Sequence, residues 1–326
     1  MAQLVKLQDY VSRYEKDIYQ YPSRFVRLKN IQWKSMRRDW ERYQGRKVLR
    51  QELIEEIETG QGPVTLAGRL KSWFFRHKEE EWPDEFAVNE AFLGVNEVAA
   101  AETIEDLRRF FLSELFAFQM KWASSTSQET SYVDRKYFYD ELLKLLLQGL
   151  PDSFLLMYKP VMQLKSAPVE LELILLTPTE VWCLTFLEKE DQSVFIGSRD
   201  RFWIKRNGEK SSRVLSPLLT ISRAEAVLKA VFQQAELDFP IKKAVISRNG
   251  FIDYPEAPAS LEVIDSRRFL PWFQRLQGTP SPLKTAQLRA AKALLQSTQT
   301  TSTIRPEWER HEGSWLYHTI KEEEEE

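Results

Sequence analysis

Cysteine is all but absent: Cys183 is the only one in 326 residues. That excludes an internal disulfide and a Cys-rich zinc site, and the thiol reads as a small buried hydrophobe. Histidine is almost as scarce. His77, His311 and His318 are scattered among charged or terminal residues, so no Ser/His/Asp or Cys/His arrangement can be read. The eleven glycines include no G-x-x-x-x-G-K phosphate loop. No apolar run approaches the roughly 20 residues that span a bilayer. The opening MAQLVKLQDY lacks the apolar stretch of a secretory signal. These absences predict a cytoplasmic chain with no membrane partner, and they fix no oligomeric state.

Charge is present in quantity but unevenly placed. The net charge is −2, yet residues 1–50 carry thirteen Lys/Arg against five Asp/Glu, and the last five residues are all glutamate. Leu4, Leu7, Tyr10, Val11, Tyr14 and Ile18 recur at helical steps, so residues 3–50 are predicted to be helical, with a break at Tyr21-Pro22-Ser23. Arg24, Arg27, Lys34, Arg37 and Arg38 lie between the apolar positions of the second helix. They form either a solvated face or a surface for DNA or RNA, since basic residues with interleaved aromatics suit phosphate contact and base stacking. A turn at 60–63, a helix over 66–75 and an amphipathic helix over 102–122 complete an all-helical N-terminal region, 1–122. The small polar run ASSTSQET predicts a linker, 123–131.

Residues 132–277 read as mixed α/β. A helix is predicted over 133–148, then strands over 154–164, 170–176 and 181–187. A hairpin follows, with its turn at Asn207-Gly208. Next come a helix over 220–235, short strands over 241–247 and 261–264, and a helix over 266–276. The strands 170–176 and 181–187 are apolar on both faces, the pattern of a sheet covered on both sides. Residues 278–326 read as one helix, 282–296, and a flexible acidic tail that aids solubility or docks on the basic face.

Some of these residues resemble a known family in their order. RKYFYDELL places Glu141 on an opening helix, Glu170-Leu171-Glu172-Leu173 starts a strand, and ILLTPTEV leads into the next. Trp203, Gly208 and Ser216-Pro217 then precede a helix. Residues from about 133 to 276 are similar in this respect to the nuclease-related domain (NERD) family, a branch of the PD-(D/E)XK nuclease-like fold. The resemblance implies a mixed central sheet flanked by helices. It also implies a Mg²⁺-assisted phosphodiesterase site in which carboxylates hold the metal and a lysine stands beside the attacking water. On that comparison Glu141 and Glu172 are the candidate metal ligands. Thr185-Phe186-Leu187 stands where the family carries Glu-X-Lys. Lys189, two residues on, has the strand parity of Leu187. Glu172 is otherwise a strand-end residue paired with Lys165, and Glu141 the polar edge of its helix.

Loss of the Glu-X-Lys pair predicts a non-catalytic protein that binds nucleic acid or a protein partner, with no cofactor. One alternative is a divergent nuclease using Mg²⁺ with Glu141, Glu172 and Lys189. Another is an interaction scaffold with no nucleic-acid role.

Overall fold

The computed structural model describes residues 1–59, 100–164, 167–188, 192–278 and 281–305. These divide into two compact units, one from 1–26 and 116 onward, the other from 27–115.

The first unit is built on a six-stranded sheet. Its strands are β1 (Gln3–Leu7), β3 (Leu155–Tyr158), β6 (Leu173–Leu176), β7 (Val181–Phe186), β11 (Ile241–Ile246) and β13 (Glu262–Ile264), in that spatial order. β3, β6 and β7 are antiparallel neighbours, whereas the β1–β3, β7–β11 and β11–β13 pairs are parallel. The sheet is therefore mixed. β6 and β7 take its two middle places because nearly every residue in them is apolar and can be covered on both sides. Thr177 closes the turn between them, its hydroxyl donating to Glu180 O at 3.0 Å.

Side-chain alternation assigns the two faces. Leu173, Leu175, Trp182, Leu184, Ala244 and Ile246 pack with Leu143, Leu146 and Leu147 of α4 (Glu141–Gly149). Trp272, Phe273 and Leu276 of α6 (Ser266–Gln277) join them on that side. On the other side Val245 packs with Ile221 of α5 (Pro217–Gln234). Gln287 of α7 (Thr285–Gln296) donates there to Ser153 O and Leu176 O at 2.7 and 3.0 Å.

A second sheet of four strands runs in the order β10 (Lys210–Leu215), β9 (Phe202–Asn207), β8 (Val194–Ile196), β12 (Phe251–Asp253). Trp203 is its fully buried anchor. The β9–β10 turn falls at Gly208-Glu209, one residue past the expected Asn207-Gly208, because Asn207 still pairs with Lys210, and Gly208 takes the positive φ of 58° that the turn requires. Two small ribbons complete the set, β4 (Val161–Gln163) with β5 (Pro168–Glu170), and β14 (Thr303–Ile304) with β2 (Glu129–Thr130).

The N-terminus differs from expectation. Residues 3–7 form an edge strand of the central sheet, and only α1 (Arg13–Lys16) and α2 (Tyr21–Thr59) of the expected helical stretch are helices. QLVKL is buried on both faces, which includes Lys6. Lys6 is tolerated there because its ammonium reaches Tyr10 O and Thr300 Oγ1, both at 2.8 Å, and the Glu15 carboxylate. Pro22 does not break α2 but lies in its first turn, where a missing N–H costs nothing.

The expected linker is also built in. Ser124, Ser125 and Thr126 are buried, and Ser125 Oγ donates to Lys121 O at the end of α3 (Ile104–Trp122). Small hydroxylated residues there satisfy helix-terminal carbonyls rather than form a flexible joint. The expected strand 154–164 divides at Lys159-Pro160 into β3 and β4. The start of the expected flexible tail is also paired, Thr303 and Ile304 with residues 129–130 and Thr298 and Thr301 by single bridges to Met162 and Tyr10. The predicted turn at 60–63, the helix over 66–75, all three histidines, Lys165, Lys189 and residues 306–326 lie outside the described residues.

In the second unit α2 and α3 each contribute a segment. Trp33 lies 5.2 Å from Phe111, and Trp40 Nε1 donates to Ala101 O at 2.8 Å. No helix among the described residues is long and apolar enough to cross a membrane.

Candidate functional site

Glu172 sits one residue before β6. The β6–β7 register pairs Leu173 with Leu184, so Glu172 falls opposite Thr185, and Thr185 is paired with Val245 on β11. On the other side Tyr158 pairs with Leu173, so Lys159 falls opposite Glu172 and donates its N–H to Glu172 O at 2.7 Å. One row thus runs across four strands as Lys159, Glu172, Thr185, Val245. A cation, a carboxylate and a hydroxyl lie side by side at the mouth of the sheet.

The carboxylate is half-buried, and burial pushes its pKa up from the usual glutamate value. The Thr185 hydroxyl, the charge on Lys159 and the Phe186 N–H oppose that shift, in that order. Thr185 is 4% exposed. Leu187 has the same parity and packs against the cluster of Phe195, Trp203, Ile221 and Val245. Its backbone is pinned on both sides, the N–H donating to Ile246 O at 2.7 Å and the C=O accepting from Ser247 Oγ at 2.9 Å. Lys159 holds φ at +50°, a left-handed conformation that a non-glycine residue adopts only under constraint. The bonds of Lys159 N–H to Glu172 O at 2.7 Å and of Leu171 N–H to Pro160 O at 2.9 Å tie the corner on both sides.

A second polar group gathers at the same edge on the α4 face. Asp140 caps α4, accepting from Leu143 N at 3.0 Å, and also accepts from Tyr158 Oη at 2.6 Å. Burial and that bond raise the Tyr158 phenol well above its usual range. Glu188 has the parity of Phe186, which packs on this side, and accepts a bidentate pair from Arg248, the Nη2 bond being 2.6 Å. The Arg248 guanidinium is held charged first by Glu188, with Glu141 and Asp140 adding to it.

The sheet therefore separates the residues the sequence grouped. Glu172, Thr185 and Leu187 belong to the α5 face, whereas Glu141 rides exposed on α4 beside Arg248. Among the described residues no group of three His, Cys, Asp or Glu side chains could hold a metal ion. Glu172 instead has a hydroxyl, an amide and a lysine around it, with the charge of the exposed Glu170 adding to the upward shift. This donor set does not fit Mg²⁺, which takes hard oxygen ligands in a near-octahedral shell.

Lys159 was not singled out in the sequence. The proline after it was the available signal, since Lys-Pro ends a strand and leaves a lysine at its mouth.

The basic residues of α2 present a mixed surface. Arg24, Arg27, Lys34 and Arg37 are exposed and Arg38 is half-buried. Arg37 is tied to Glu41 at 2.8 Å, and the Arg24 guanidinium lies over the Tyr21 ring at 5.7 Å.

Over 119 residues the chain is 33% identical to a protein of Geobacillus stearothermophilus named RNA 2',3'-cyclic phosphodiesterase. The aligned part is 36% of each, so the chain spans about a third of that relative's length. No protein-family model matches the chain. No solved structure matches it either.

Proposed function

We propose that this chain is a nucleic-acid-binding protein built on a NERD-like, PD-(D/E)XK-type α/β domain that no longer cuts phosphodiesters. The observation that carries the loss of cutting is Thr185 opposite Glu172. A metal-dependent nuclease needs a second anion at that point, and a threonine hydroxyl that donates to Glu172 uses up the carboxylate in an internal hydrogen bond. Leu187, two residues on, fills the lysine's place with an apolar side chain packed against Val245. Support for nucleic acid as the ligand comes from the excess of Lys/Arg in residues 1–50. The relative's name favours RNA among nucleic acids.

Fluorescence anisotropy with labelled single-stranded RNA, single-stranded DNA and duplex tests this reading. Binding is expected at low salt, with log K falling linearly in log salt as counterions are released. No cleavage is expected with Mg²⁺ or Mn²⁺. Absence of association with every probe at low salt would remove the binding half. Metal-dependent cleavage lost in Glu172→Ala would remove the other half.

A phosphodiesterase that still turns over is the second reading, favoured by the relative's name. Opening of a 2',3'-cyclic nucleotide by water to its 2'- or 3'-phosphomonoester, with the phosphate kept on the ribose, by the pure protein would establish it.

A further inference from the structure

The four-stranded sheet turns Trp203 inward, so alternation sends Phe202, Ile204 and Arg206 outward. The register carries this across the sheet. Leu215 lies beside Phe202. Arg213, Ile204, Ile196 and Asp253 make the next row, and Ser211, Arg206, Val194 and Phe251 the row after that. Phe202, Ile204, Leu215 and Phe251 are 45%, 41%, 53% and 36% exposed. This is an apolar floor with two accessible aromatic rings on a sheet whose other face is the packed one.

Its surroundings are basic. Residues 199–215 hold six Lys/Arg against two Asp/Glu. A guanidinium lies over each ring, Arg201 at 5.7 Å from the Phe202 centroid and Arg267 at 5.6 Å from that of Phe251. Arg267 is engaged by Asp265, but among the described residues no ion pair engages Arg206, in the row of Phe251, or Arg213, beside Ile204 on the edge strand β10, and both are exposed. The two phenylalanines are two strands and four residues apart, about 10 Å across and 13 Å along the sheet. They cannot sandwich one base, but they can each take a different base of one strand.

We propose that this outer face is a platform for single-stranded RNA, with Phe202 and Phe251 stacking bases and Arg206 and Arg213 meeting phosphates. Stacking on a flat sheet needs unpaired bases, because the faces of paired bases are closed by their neighbours. A protein partner fits less well, since arginines interrupt the apolar floor in two of its three rows. The proposal rests on the nucleic-acid reading above but assigns the contact to a surface separate from the Glu172 edge.

The test is anisotropy with a single-stranded RNA and its duplex, using wild type, F202A/F251A and R206A/R213A, each checked by thermal melting. F202A/F251A is expected to bind single-stranded RNA at least tenfold more weakly with an unchanged salt slope. R206A/R213A is expected to lower the slope by about 1.4. Wild-type binding that F202A/F251A leaves untouched, or equal affinity for duplex, would overturn the platform and leave the nucleic-acid reading standing. No binding by wild type would overturn both. A concentration-dependent dimer that F202A/F251A abolishes, without RNA binding, would make the face a self-association surface and overturn the platform.

Discussion

Lys6→Met is expected to lower unfolding stability by about 3 kcal/mol, the lower end for breaking one partner of a buried ion pair. Lys6 is fully enclosed, while Glu15 keeps 18% of its side chain exposed. Burial holds the Lys6 ammonium below its usual range, and the pull of Glu15 only partly offsets it. Without the ammonium, Glu15 keeps only the Thr300 hydroxyl at 3.0 Å and the Ser12 N–H at 3.4 Å, and Tyr10 O loses a donor. The loss spreads because Lys6 joins three segments: β1, the turn into α1, and the chain at Thr300. Urea denaturation measures it. Lys6→Met/Glu15→Gln should recover part of the loss, because the stranded charge is then removed. A Lys6→Met midpoint equal to wild type would mean that the network contributes nothing.

Thr185→Glu is expected to cost a similar amount, about 3 kcal/mol. It sets a second carboxylate directly across from Glu172, and like charges opposite one another on neighbouring strands repel. Position 185 is closed to solvent, and Val245 flanks it on the far side. Thr185→Val should cost less, since it removes one hydrogen bond to a carboxyl that Phe186 N–H and Lys159 still support. The pair of variants separates packing from charge. If Thr185→Glu unfolds at the wild-type urea midpoint, the position is open and can accept an anion, contrary to the closed site described above.

Much of the central sheet was legible because its two middle strands are apolar on both faces, a pattern no amphipathic helix gives. The helix α5 was legible, but Ser216-Pro217 is its cap and first residue rather than a segment before it, so it starts three residues ahead of the expected 220. β1 was not. Leu4, Leu7 and Val11 satisfy helical steps as well as a buried strand does, and a lysine argues against burial until Glu15 and Thr300 are brought to it by the fold. At the site, strand parity placed Thr185 and Leu187 on one face, whereas Glu172 joins them through the β6–β7 register, which only the family resemblance suggested. It could not reveal that α4 carries Glu141 on the other, because the side on which a helix packs is set by the tertiary path. Lys159 stayed hidden for a local reason, its place inside an apolar run whose break depends on a single proline.

The most direct measurement is the titration of the Glu172 side-chain carboxyl by carbon-13 NMR, with and without Mg²⁺, assigned by the signal missing in Glu172→Gln. Burial should leave it titrating above the usual glutamate range in spite of the Thr185 hydrogen bond, and Mg²⁺ should not move it. A titration at or below the ordinary value, or one that Mg²⁺ pulls down, would mean that the carboxylate is open to a cation and that the site can still hold its metal.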